Sequence, residues 1–136
     1  MNTISYHAAL IYVMVVVAAS DGNMSETELH TIGGLVKSLP VFQDFDEHRL
    51  LQTARECADI LQEEEGLDAV LGLVKSALPE HLRETAYWLG LEVALSDAGV
   101  RLEEVRVIQR IRAALDLERL VTAALERGAR ARFQTA

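Results

Sequence analysis

Asp21, Asn23, Ser25 and Glu28 put four oxygen-bearing side chains into the eight residues "DGNMSETE". Carboxylate, amide and hydroxyl oxygens at this density suit a hard divalent cation such as Ca²⁺ or Mg²⁺. The spacing is not that of an EF-hand, whose glycine and glutamate stand at the sixth and twelfth loop positions. Asp97 and Glu104 repeat the separation of Asp21 and Glu28, but Gly99 and Arg101 stand where Asn23 and Ser25 would be. The second stretch alone is the poorer chelator. A shared metal site would take Asp21 and Glu28 from one stretch and Asp97 and Glu104 from the other. It requires a fold that brings the two together.

Helix capping gives a second account of the same residues. Ser25 and Glu28 have the S-x-x-E spacing of a capping box, in which each side chain satisfies a backbone N–H of the first helical turn. Gly22 suits the left-handed residue that ends a preceding helix, and Met24 and Leu29 are placed for a hydrophobic staple. Arg101 cannot cap as a serine does. A glutamate at position 104 still favours the positive end of the helix dipole by about 0.3–1 kcal/mol. Capping therefore explains Ser25 and Glu28 and leaves the two aspartates open.

An internal repeat identifies the elements that carry these residues. "YVMVVVAASDGNMSETELHTIGGLVKSL" aligns without a gap on "WLGLEVALSDAGVRLEEVRVIQRIRAAL". Val17, Ala18, Ser20, Asp21, Glu28, Ile32 and Leu39 recur as Val93, Ala94, Ser96, Asp97, Glu104, Ile108 and Leu115. The apolar run Ala8 to Ala19 has the length of a signal-peptide core. It lacks a basic leader, however, and recurs mid-chain, so it is expected to be structural. Its five β-branched residues between Ile11 and Val17 favour a strand by propensity. The second copy begins with Pro79 and carries Leu82, Ala86, Leu89 and Val93 at helical spacing. Both runs are expected to be helices, the first buried nearly all round.

The remaining chain also reads as helical. Helix two is expected from Ser25 to Leu39, with Leu29, Ile32, Leu35, Val36 and Leu39 inward and Pro40 as its stop. Asp44 or Asp46 should cap a third helix reaching Glu64, and Gly66 should break the chain before a fourth. A sixth spans Leu102 to Leu115, and a seventh uses Leu117, Leu120, Val121, Ala124 and Leu125. Gly33, Gly34, Gly72 and Gly90 fall inside helices, which suggests close helix–helix approach, since no phosphate-loop pattern surrounds them. The expectation is an all-α fold: one domain over residues 1–136, a single compact bundle of about seven helices. Its helix-turn-helix units lie at 11–39 and 87–115, and residues 126–136 form a frayed tail.

Composition limits the function. The 136 residues carry a net charge of −8, which opposes nonspecific nucleic-acid binding. Residues 1–68 hold 3 Lys/Arg and 12 Asp/Glu, whereas residues 69–136 hold 10 and 9, so the acidity belongs to the first half. Such halves suit a cationic ligand or partner at one end and an anionic one at the other. Cys57 is the only cysteine, which excludes an internal disulfide; its apolar flank makes a buried, reduced thiol the expectation. The four histidines form no HxxxH or HExxH pair, and no nucleophile–base pattern or cofactor fingerprint is present, so no enzyme is expected.

"AASDGNMSETE" at 18–28 and "ALSDAGVRLEE" at 94–104, each after an apolar helix, resemble the tellurite-resistance TerB family. The likeness extends from Leu10 to about Leu125, departing at Ala98, where the family has glycine, and at Arg101. It implies a seven-helix cytoplasmic, non-enzymatic domain of stress response, sited at the inner face of the membrane. It further implies a divalent metal ion of unknown identity on acidic corners, here Asp21, Glu28, Asp97 and Glu104. A protein partner is expected, a membrane protein of the same resistance system, and no transmembrane segment. The alternative is a pure protein–protein interaction domain whose acidic corners are only caps.

Overall fold

The computed structural model describes residues 3–22, 24–96 and 101–136. These form seven α-helices: α1 (Tyr6–Ala18), α2 (Glu26–Ser38), α3 (Leu50–Leu61), α4 (Gly66–Ala77), α5 (Arg83–Leu95), α6 (Leu102–Ala114) and α7 (Arg119–Arg132). No strand occurs among the described residues.

α1 is the axis of the bundle. It is capped by Ser5, whose Oγ accepts the Ala8 N–H at 3.0 Å. From Ala9 to Ala18 every residue is buried, packed by α2, α3, α4, α5 and α6. Burying each large apolar side chain contributes about 1.5–3 kcal/mol. A helix can bury this run on all sides while satisfying its own backbone, so tertiary packing overrides the β preference of its valines. α5 is the second such rod. Gly90 lets it approach α1: a Cβ there would meet the Val17 and Val13 methyl groups at 3.4 and 3.5 Å.

That close approach does not extend to Gly33, Gly34 and Gly72, where an added Cβ would meet open space. The glycine that packing does require is Gly66. It is not a break before α4 but its first residue, set so tightly that a Cβ would lie 2.2 Å from the Ile60 carbonyl oxygen. Glu65 makes the reversal with φ 56°, and α3 ends at Leu61, short of the expected Glu64. Asp46 does cap, but its Oδ1 accepts the His48 N–H of a short 3₁₀ turn, Glu47–Arg49, that precedes α3. A similar turn, Glu80–Leu82, separates Pro79 from α5.

Some expected inward positions face solvent. Leu29 is exposed because Glu28, one turn before the buried Ile32, takes the inward place on α2. Leu120, 81% exposed, and Ala124 also point outward, since α7 docks chiefly on α5, through the side that carries Thr122 and Ala129. The tail is not frayed from residue 126. α7 continues to Arg132, held by the buried Ala129 and by an ion pair from Arg132 to Glu92 of α5.

Candidate functional site

The two acidic stretches form corners before α2 and α6. Those helices run from Glu26 to Ser38 and from Leu102 to Ala114, in the register of the sequence repeat. In the first corner the Ser25 Oγ accepts the Glu28 N–H at 3.1 Å, and Glu28 Oε1 accepts the Ser25 N–H at 2.9 Å. Both halves of the capping box are therefore made. In the second, Glu104 Oε1 accepts the Arg101 N–H at 3.0 Å. The reciprocal half is absent because a guanidinium has no acceptor. Glu28 and Glu104 are both buried, each committing one carboxylate oxygen to its own helix N-terminus.

Arg101 acts across the gap instead. Its Nη1 pairs with Asp21 Oδ2, so a residue of the second corner grips an acid of the first. The Asp21 side chain is 21% exposed and that of Arg101 60%, which leaves the pair open to screening on one side. The corners are thus neighbours. Of the four expected metal ligands, Asp21, Glu28 and Glu104 lie at these adjoining corners, and Asp97 lies outside the described residues. Among the described residues no three His, Cys, Asp or Glu side chains are grouped to hold a metal ion.

Ser20 adds a detail that the motif alone does not supply. Its Oγ is buried without a hydrogen-bond partner among the described residues, and the residue lines a cavity of about 310 Å³ with Gly22, Ala58 and Gln62. The equivalent Ser96 hydroxyl is satisfied, donating to the Val93 carbonyl at 2.7 Å. Asp21, Ser25, Glu28 and Glu104 at the two corners carry hard oxygens, which fit an oxygen-seeking cation in kind. The Arg101 guanidinium is the element that does not fit, since it already neutralises Asp21.

Several other polar contacts escape the motif. Glu92 is 3% exposed and pairs with Arg132. Its signal in the sequence was that it replaces Val16 of the first copy, a charge inside an otherwise apolar run. The Tyr87 hydroxyl donates to Glu126 Oε2 at 2.6 Å; burial and this acid push its pKa up. His7 binds the Val41 carbonyl through Nε2 at 2.9 Å among Phe42 and Phe45. The Cys57 thiol is buried against α1, with Sγ 3.9 Å from the Tyr12 carbonyl, and burial pushes its pKa up to about 12. It is a core residue with negligible thiolate at neutral pH.

No helix among the described residues is long and apolar enough to cross a membrane. No curated protein and no solved structure matches the chain. A family model described as "Tellurite resistance protein TerB" matches residues 7–126, nearly the whole helical bundle with both acidic corners, and the chain belongs to that family.

Proposed function

We propose that this domain is a non-enzymatic module of a stress-response system of the tellurite-resistance kind, binding a divalent cation where its two acidic corners meet. Asp21 would be the principal ligand, with the second oxygens of Glu28 and Glu104 and the carboxylate of Asp97 completing an oxygen set. The observation that carries this reading is the Asp21–Arg101 pair, which joins the corners across the fold. The buried Ser20 hydroxyl, next to Asp21 in the chain and without a partner among the described residues, supports it. Arg101 then serves as a tethered cation that holds the place of the metal, and an incoming ion must displace it. A membrane-protein partner of the same system and a position at the cytoplasmic face of the membrane belong to the same proposal, as the resemblance to the family implies.

Calorimetric titration of metal-free protein with Ca²⁺, Mg²⁺, Mn²⁺ and Zn²⁺ tests the site. At least one ion should give saturable heat that Asp21→Asn abolishes. Arg101→Ser removes a like charge from the ion's neighbourhood and should tighten binding about tenfold, the scale of one screened charge–charge contact. No heat from either the unaltered protein or Arg101→Ser would overturn the reading. The second reading, an interaction domain without metal, is favoured by the bonds from Glu28 and Glu104 to their own helix N-termini. It predicts that Asp21→Asn lowers stability and leaves every ion titration flat.

A further inference from the structure

α6 and α7 each pack on α5 and scarcely on one another. Between them lies a groove of about 410 Å³ with α5 as its floor. Tyr87, Leu91 and Leu95 recur along that floor every fourth residue, a strip about two helical turns long. The exposed Val105 extends the apolar wall on α6. Arg112 of α6 and Arg130 of α7 stand on opposite walls. Neither has a hydrogen-bond or ion-pair partner among the described residues. Glu126, the one acid among the described residues lining the groove, already accepts the Tyr87 hydroxyl. Two arginines against one acid make the described edge of this apolar trough net cationic.

We propose that this groove receives an amphipathic, acidic helix of a partner protein. Two helices walling a third give the trough in which helix-in-groove recognition works, reading apolar residues at i, i+3 or i+4, and i+7. Tyr87 and Leu91 are already buried, so the apolar face of the incoming helix covers Leu95 and Val105, and its flanking carboxylates meet Arg112 and Arg130. Charge complementarity selects an acidic helix over a basic one. The groove lies on the face of α5 that α6 and α7 leave open; Asp21, Glu28 and Glu104 do not line it, although Val105 adjoins Glu104 in the chain.

Three fluorescein-labelled model peptides test this by anisotropy with the full chain. The first has leucines at i, i+4 and i+7 among glutamates, the second replaces the glutamates with lysines, and the third shuffles the first. Saturable binding of the first alone, weakened by salt, is the expected result. Arg112→Glu with Arg130→Glu should weaken it at least about tenfold, and Val105→Asp should weaken it without shifting the unfolding midpoint. Equal binding of the lysine or shuffled peptide would overturn the proposal, as would indifference to both sets of substitutions. So would a dimer in sedimentation equilibrium, or pelleting with phosphatidylglycerol vesicles, that the arginine reversals abolish. Those outcomes assign the groove to a second copy or to lipid.

Discussion

Glu92 shows what a single charge does in this core. It is nearly enclosed on α5, and its counter-charge comes from Arg132 near the end of α7. A buried carboxylate that loses its partner keeps its desolvation cost without the compensating attraction. Arg132→Met preserves much of the side-chain stem and removes the charge. It should lower the thermal midpoint by several degrees, and Glu92→Gln on that background should recover most of the loss. Because the Arg132 side chain is 57% exposed, the effect stays below that of a fully buried pair. A midpoint unmoved by Arg132→Met would refute this role. Legibility at the residue scale followed separation along the chain. The Ser25–Glu28 box was readable because its partners are three residues apart and its geometry is local. The Asp21–Arg101 and Glu92–Arg132 pairs join distant elements, and no periodicity announces them.

At the scale of elements, the helices were legible because apolar spacing and caps act within a few turns. Their inward faces were less so. Leu29 and Val105 occupy equivalent positions and are both exposed, since the capping glutamates Glu28 and Glu104 take the inward place beside them. A hydrophobicity pattern assigns that place to leucine or valine; the need to satisfy helix N-termini assigns it to the acid. Glycines divide in the same way, by surroundings that the sequence does not display. Gly72 lies exposed in α4 with open space at its Cβ position, so Gly72→Ala should stabilise by about 1 kcal/mol through helix propensity. Gly66, six residues earlier on the same helix, has the Ile60 carbonyl where a Cβ would go. Gly66→Ala should cost about 1–3 kcal/mol, the usual range for forced overpacking. Urea unfolding of the two variants should move the midpoint in opposite directions, and a shared direction would contradict the packing described.

The whole molecule is a sheath around α1, and its response to pH follows from what α1 and α5 bury. Tyr12 and Cys57 pack together at the α1–α3 contact, and Tyr87 lies against Glu126; burial is the largest cause raising the pKa of all three. For each, the folded chain holds its proton to higher pH than the unfolded chain. Their contribution is therefore fully present below the unfolded values and is lost as pH climbs toward the folded ones. Cys57 sets the lower edge of the window. Its ordinary value is 9.0 and its folded value about 12, so the unfolded thiol ionises first and draws the equilibrium toward unfolding. The slope from one such group is about 1.4 kcal/mol per pH unit once the unfolded thiol is fully ionised. The tyrosines, with ordinary values of 10.0, add to the loss above that pH. Unfolding free energies from urea at pH 7, 9, 10 and 11 should thus be level at first and fall beyond pH 9, more steeply above 10. Cys57→Ala should flatten the segment between pH 9 and 10 and leave the steeper fall in place. An unchanged slope in that variant would mean that Cys57 ionises as readily in the fold as outside it, contrary to its enclosure beneath α1.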